Sequence, residues 1–92
     1  MSRAVTRDLA LVVDAGVTHR QIVNIFKDFP LISRVDLFDV YSGKQVAPGK
    51  KSMAYRLVYQ SPAQTLTDED VNSVQEQVLK RLGDEVGAVL RG

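Results

Sequence analysis

The stretch Arg7–Pro30, RDLALVVDAGVTHRQIVNIFKDFP, reads as a strand, a turn and a helix in that order. Leu9, Leu11 and Val13 alternate with Asp8, Ala10 and Val12, the period-2 pattern of a strand with one strongly apolar face. Asp14-Ala15-Gly16 turns the chain, and the turn suits a glycine at positive φ. Thr18 and Gln21 stand at the capping-box spacing, where a hydroxyl and an amide satisfy each other's backbone N–H. Ile22, Ile25, Phe26 and Phe29 then recur on one helical face, and Pro30 stops the helix. The spacing predicts a strand over 7–14 and a helix over 18–29.

Beyond Pro30 the pattern returns to period 2. RVDLFDVY predicts a second strand over 34–41, and SMAYRLVYQ a third over 52–60. Between them SGKQVAPGKK (42–51), with two glycines and a proline, is a long hairpin connection. Thr67 followed by Asp68, Glu69 and Asp70 opens a second helix, its carboxylates matching the positive end of the helix dipole. Val71, Val74, Val78 and Leu82 form its stripe, Lys80 and Arg81 fall in its last turn, and Gly83 suits the C′ position. A short strand over 87–91 closes the chain.

This order predicts an α+β fold, ferredoxin-like βαββαβ: a four-stranded antiparallel sheet, spatial order 4-1-3-2, with two helices on one face. Alternation points Leu9, Leu11, Val13, Phe38, Val40, Tyr55 and Leu57 at the helices. Asp8, Ala10, Val12, Leu37, Asp39, Tyr41, Ser52, Ala54 and Arg56 fall on the open face. Val35 and Leu37 are apolar residues in that otherwise polar set.

Ninety-two residues with 45% hydrophobic and 25% charged side chains make one domain over 1–92, neither disordered nor low in complexity. There is no apolar run of about 18 or more, hence no membrane-spanning helix, and the start makes a poor signal peptide. No cysteine is present, which removes disulfides, thiolate metal sites and cysteine nucleophiles. Net charge is +1, but residues 1–60 carry nine Lys/Arg against five Asp/Glu, whereas 61–92 carry three against six. A basic end and an acidic end allow a polyanion-facing surface with an acidic back.

Catalysis finds little support. No glycine-rich phosphate loop or nucleophile elbow occurs, and the serines have no assignable histidine. His19, the single histidine, falls at a helix start and reads as solvated. Asp36 and Asp39 are odd-spaced in a strand, so they should face opposite sides and make a poor acid/base pair. Asp68–Asp70 read as a capping cluster rather than a metal site. The open face is more informative. Asp39, Tyr41, Ser52, Ala54 and Arg56 combine an acid, an aromatic, small residues and a base. The ordinary reading is a solvated sheet face. The sharper one is recognition of an unstacked base, with a tyrosine to stack and a carboxylate to accept from the base edge. Lys44, Lys50, Lys51, Arg56 and Arg91 could then contact phosphates.

Five strings in order, RDLALVVD, LFDVYSG, GKKSMAYRL, TLTDEDV and GAVLR, resemble one family from Ala4 to Arg91. It is the ferredoxin-fold anticodon-binding domain at the C-terminus of the bacterial phenylalanyl-tRNA synthetase beta subunit. The resemblance implies a fragment of a larger chain, with no catalysis of its own. The parent enzyme would be an α2β2 synthetase joining phenylalanine to its tRNA with ATP and magnesium, at a site on the alpha subunit. This chain would hold no cofactor or metal. Its implied partners are the anticodon stem-loop of phenylalanine tRNA, the rest of the beta subunit and the alpha subunit; its implied location is cytoplasmic, away from membranes.

The family's FDxY segment falls on Phe38–Tyr41, which places Asp39 and Tyr41 at the first anticodon base, a guanine. Its GKKS segment falls on Gly49–Ser52, bringing Lys50, Lys51 and Ser52 near the RNA, and its terminal arginine on Arg91. The opening RD falls on Arg7 and Asp8, read here as a strand-start ion pair, and Phe38 is read as core. RNA-recognition-motif domains share this topology, but their sheet aromatics are replaced here by Ala10, Val12 and Ala54. The alternative is an ACT-like amino-acid-binding regulatory module. ACT domains share the strand–helix order, and Asp14-Ala15-Gly16-Val17 is similar to their ligand-binding turn, without its proline. A ligand-free interaction scaffold is the third reading.

Overall fold

A computed structural model describes residues 4–91. Six elements follow one another: β1 (Val5–Asp14), α1 (His19–Phe26), β2 (Ile32–Tyr41), β3 (Lys50–Tyr59), α2 (Asp68–Val86) and β4 (Val89–Leu90). The sheet runs β2-β3-β1-β4, with β1 antiparallel to β3 and β4, and β2 antiparallel to β3. Read from the other edge this is the expected 4-1-3-2 order. No helix among the described residues is long and apolar enough to cross a membrane.

Both helix starts are built as their spacing requires. Thr18 Oγ1 accepts from Gln21 N–H at 3.2 Å while the Gln21 side chain accepts from Thr18 N–H at 2.8 Å. Thr67 and Asp70 repeat the exchange at 3.1 and 2.9 Å. The helix ends differ from expectation. α1 stops at Phe26, and Lys27–Phe29 form turns, so Phe29 packs on the core from outside the helix. α2 runs past Gly83 to Val86 and is capped by Gly87 at φ +66°. Lys80 and Arg81 therefore lie inside the helix, paired one turn on with Asp84 and Glu85.

One side of the sheet carries the core. Leu9, Leu11 and Val13 of β1 and Met53, Tyr55, Leu57 and Tyr59 of β3 meet Ile22, Ile25 and Phe26 of α1 and Val71, Val78 and Leu82 of α2, all buried. Phe26 sets the edge of its ring on Tyr55, centroids 5.3 Å apart. His19 is exposed, yet it is not simply solvated. Its ring stacks on Tyr55 at 5.6 Å, and its Nδ1 lies 2.9 Å from the Tyr55 hydroxyl. That contact gives a buried phenol a polar partner at the helix start.

The second strand corrects the expected facing. Its register against β3 slips at Ser33 and again at Phe38: Leu37 lies opposite Tyr55, and Asp39 opposite Ala54. Phe38 is the extra residue of a β-bulge. Val35 and Leu37 thereby pack on the core, while Phe38, expected there, is 51% exposed on the other face beside Arg56. Val40 keeps the helix-side register, opposite Met53, but stays half exposed because β2 is an edge strand. The slip also overturns the opposed placement of Asp36 and Asp39. Both now lie opposite open-face residues of β3, Arg56 and Ala54.

Candidate nucleic-acid interface

Two rows of side chains cross the open face. Tyr41, Ser52, Val12 and Val89 form one, from β2 to β4. Asp39, Ala54 and Ala10 form the next, and Arg91 completes it by donating its backbone N–H to the Ala10 carbonyl at 2.7 Å. Alanines at the two central positions leave a shallow floor between the charged and aromatic edges. Across that floor the Arg91 guanidinium lies 5.8 Å from the Tyr41 ring centroid. Its Nη2 donates to Gln45 Oε1 at 2.8 Å. Ser52, between Tyr41 and Val12 in its row, is only 4% exposed although it belongs to the uncovered face. Asp39 is exposed and its carboxylate makes no ion pair or hydrogen bond among the described residues. An unengaged carboxylate thus stands beside an aromatic ring topped by a guanidinium.

Gln45 and Gly43 were not legible as parts of this site. Both belong to the connection over 42–49, which is pinned by buried Val46 and by hydrogen bonds from Val46 N–H to Gly43 and Lys50 N–H to Ala47, each 3.1 Å. Gly43 has a positive φ of 151°, and a Cβ there would stand 3.0 Å from the Tyr41 hydroxyl. Glycine therefore lets Tyr41 lean along the loop.

A third row is an ion-pair ladder. Arg56 donates from Nε and Nη2 to both Asp8 oxygens at 2.9 and 3.0 Å, with Asp36 opposite on β2. The Arg56 hydrogen bond, with its charge, holds the Asp8 carboxyl below the usual carboxylate range, and Asp8 raises the guanidinium pKa in return. Arg34 Nε in turn donates to Asp36 at 3.0 Å. The expected Arg7–Asp8 pair does not form, because neighbours in a strand point to opposite faces. Arg7 reaches α2 instead, donating to Asn72 at 3.0 Å and lying 3.4 Å from Asp68.

The cations expected near RNA are not equivalent. Lys50 donates to Asp14 at 2.6 Å. Lys51 lies opposite Val13, so its side chain starts on the helix side. Lys44 and Lys51 form no ion pair among the described residues. The turn over 14–17 is closed by Val17 N–H donating to Asp14 at 3.0 Å. Gly16 in that turn is not at positive φ, and a Cβ there would meet nothing within 4 Å, so the turn does not require glycine. Among the described residues no group of three or more His, Asp or Glu could hold a metal ion.

A split βαβ domain whose uncovered sheet face sets an aromatic ring, a guanidinium and an unengaged carboxylate over small residues defines a class suited to unstacked bases. The family profile of the ferredoxin-fold anticodon binding domain matches residues 2–91, and the chain belongs to that family. Over 96% of its length it is 57% identical to a phenylalanine–tRNA ligase beta subunit of Dehalococcoides mccartyi. It is 47% identical over 97% of its length to the proteins of that name from Halalkalibacterium halodurans and Bacillus subtilis. It spans 11% of the length of each of these relatives.

Proposed function

We propose that this chain is the anticodon-binding part of a phenylalanine–tRNA ligase beta subunit, and that its open sheet face holds the anticodon loop of phenylalanine tRNA. In this reading it works within an α2β2 enzyme in the cytoplasm, and the ATP- and magnesium-dependent chemistry takes place elsewhere in that enzyme. The observation that carries the RNA reading is the Tyr41–Arg91 pair, 5.8 Å from ring to guanidinium, beside the unengaged Asp39. Guanine presents two donors on one edge, N1–H and the exocyclic amine. Asp39 can accept both, whereas adenine would oppose it with an acceptor at N1. Tyr41 supplies a stacking surface, with Arg91 above it and Ser52 and Ala54 as the floor. Lys44 and Lys50 sit at the end of the face where the phosphates would pass, Lys50 already paired with Asp14, whereas Lys51 starts on the helix side. Arg56, already compensated by Asp8, contributes shape more than charge.

The test is a titration with stem-loops carrying guanine or adenine at the first anticodon position. Tyr41→Ala should weaken binding to both loops, by about 1–3 kcal/mol for a lost stacking partner. Asp39→Ala should lower the preference for guanine by about 1–3 kcal/mol, on the scale of a bidentate base contact. Lys44→Ala should weaken both loops alike and flatten the salt dependence, because a phosphate contact carries no sequence information. An unchanged guanine preference in Asp39→Ala would return this face to the status of a solvated surface. Calorimetry with free phenylalanine tests the amino-acid-binding alternative, for which no heat is expected.

A further inference from the structure

Two exposed rings on the open face each lie under a guanidinium: Tyr41 under Arg91 at 5.8 Å, and Phe38 under Arg56 at 4.9 Å. Asp39 stands between them in the strand. The base-reading site uses Tyr41 and Arg91 and leaves the other pair without a task.

Phe38 is a costly residue to leave 51% exposed, since Ile32, Val35 and Leu37 of the same strand pack on the core and only Val40, near the strand's end, is as exposed. The bulge alone takes it out, and bulges of this kind re-aim side chains beside functional sites. Arg56 is fixed above the ring by two hydrogen bonds to Asp8, and Asp36 faces it from β2. Its charge is compensated on both sides. The surface is therefore flat, immobilised and nearly neutral, which suits the π-face of a base and not a phosphate. Phe38 and Tyr41 are three residues apart, at most about 10 Å along a strand and less across a bulge, a span two consecutive unstacked nucleotides can bridge.

We propose that Phe38 and Arg56 form a second stacking platform, which takes the nucleotide next to the guanine held at Asp39 and Tyr41. The proposal rests on the reading of this face as the RNA interface. Phe38 offers no hydrogen-bonding group, so the platform accepts any base and adds affinity without sequence preference.

The experiment is an NMR titration of the 92-residue chain with phenylalanine anticodon stem-loops. One loop is intact, one carries adenine in place of the guanine, and two carry a single abasic nucleotide, one on each side of the guanine. Phe38→Leu keeps an apolar side chain and removes the π-face; Phe38→Ile replaces it if Leu disturbs the amide spectrum. The variant should bind the intact loop about tenfold more weakly, with its guanine preference unchanged. One abasic loop should weaken the wild type by a similar factor, and against that loop Phe38→Leu should lose nothing further. Wild-type binding by Phe38→Leu, or the same loss against both abasic loops, overturns the platform. If Tyr41→Ala and Asp39→Ala also bind like wild type, the whole reading of the face fails and not the platform alone.

Discussion

The Tyr59 hydroxyl is buried with no hydrogen-bond partner among the described residues, whereas Tyr55, equally buried, has His19. Burial pushes Tyr59 up to about 12, slightly offset by the charge of Arg7, and pushes Tyr55 above the usual tyrosine range. A raised phenol pKa favours the fold while the phenol is neutral. The unfolded chain ionises near pH 10, so this stability is complete below about pH 10 and is lost as pH rises through the folded values. Urea midpoints should fall from about pH 10 upward, each tyrosine adding at most about 1.4 kcal/mol per pH unit. Tyr59→Phe removes an unsatisfied hydroxyl. It should leave stability at neutral pH unchanged or raise it by up to about 1–3 kcal/mol, and it should lessen the alkaline loss. A clear drop in the neutral-pH midpoint would mean that the hydroxyl is paired after all.

At the level of elements, α2 has two glycines near its end with opposite roles. Gly83 lies within the helix, and a Cβ there would meet only the Ala88 carbonyl at 3.6 Å, an ordinary contact. Gly83→Ala should therefore stabilise by about 0.5–1 kcal/mol, the usual gain for replacing a mid-helix glycine. Gly87 holds φ +66°, with its N–H on Gly83 and that of Ala88 on Leu82 at 3.1 and 3.2 Å. Gly87→Ala should cost about 1–2 kcal/mol, the penalty of a left-handed conformation for a residue with a Cβ. Thermal melts of the two variants should move in opposite directions. Expecting the helix to stop at Gly83 reverses both signs, and that expectation came from a C-cap signal that two glycines four apart satisfy equally well. In β2 the clue was present but ambiguous. Val35 and Leu37 clash with Asp39 and Tyr41 on one face, and only a bulge between them satisfies both pairs.

Across the whole molecule, the sheet separates two populations of aromatic residue. Phe26 is 1% exposed and wedged against Tyr55, so Phe26→Ala should cost about 3–5 kcal/mol and come close to unfolding a domain of this size. Phe38→Ala, the same substitution on the open face, should stay within about 0.5 kcal/mol. Urea unfolding of the two variants measures the contrast directly. Comparable losses would mean that Phe38 is structural and the open face is not open there.

The element order, both helix starts, the core faces of β1 and β3 and the uncovered sheet face were all determined by sequence. Periodicity and capping depend on residues within a few positions of one another, and those relations survive without knowledge of the fold. The identity of each partner across the sheet was decided only by tertiary structure. Arg56 could have offered its charge to phosphate, but register sets it against Asp8. Arg91 meets Tyr41 and Gln45 because β4 pairs with β1 and the residue that follows β4 reaches over the alanine floor. Alternation alone places Phe38 in the core, and one inserted residue turns it outward. The reason is the period of a strand. With side chains alternating every residue, a single slip in register exchanges buried for exposed, and register is a property of two strands together rather than of either one.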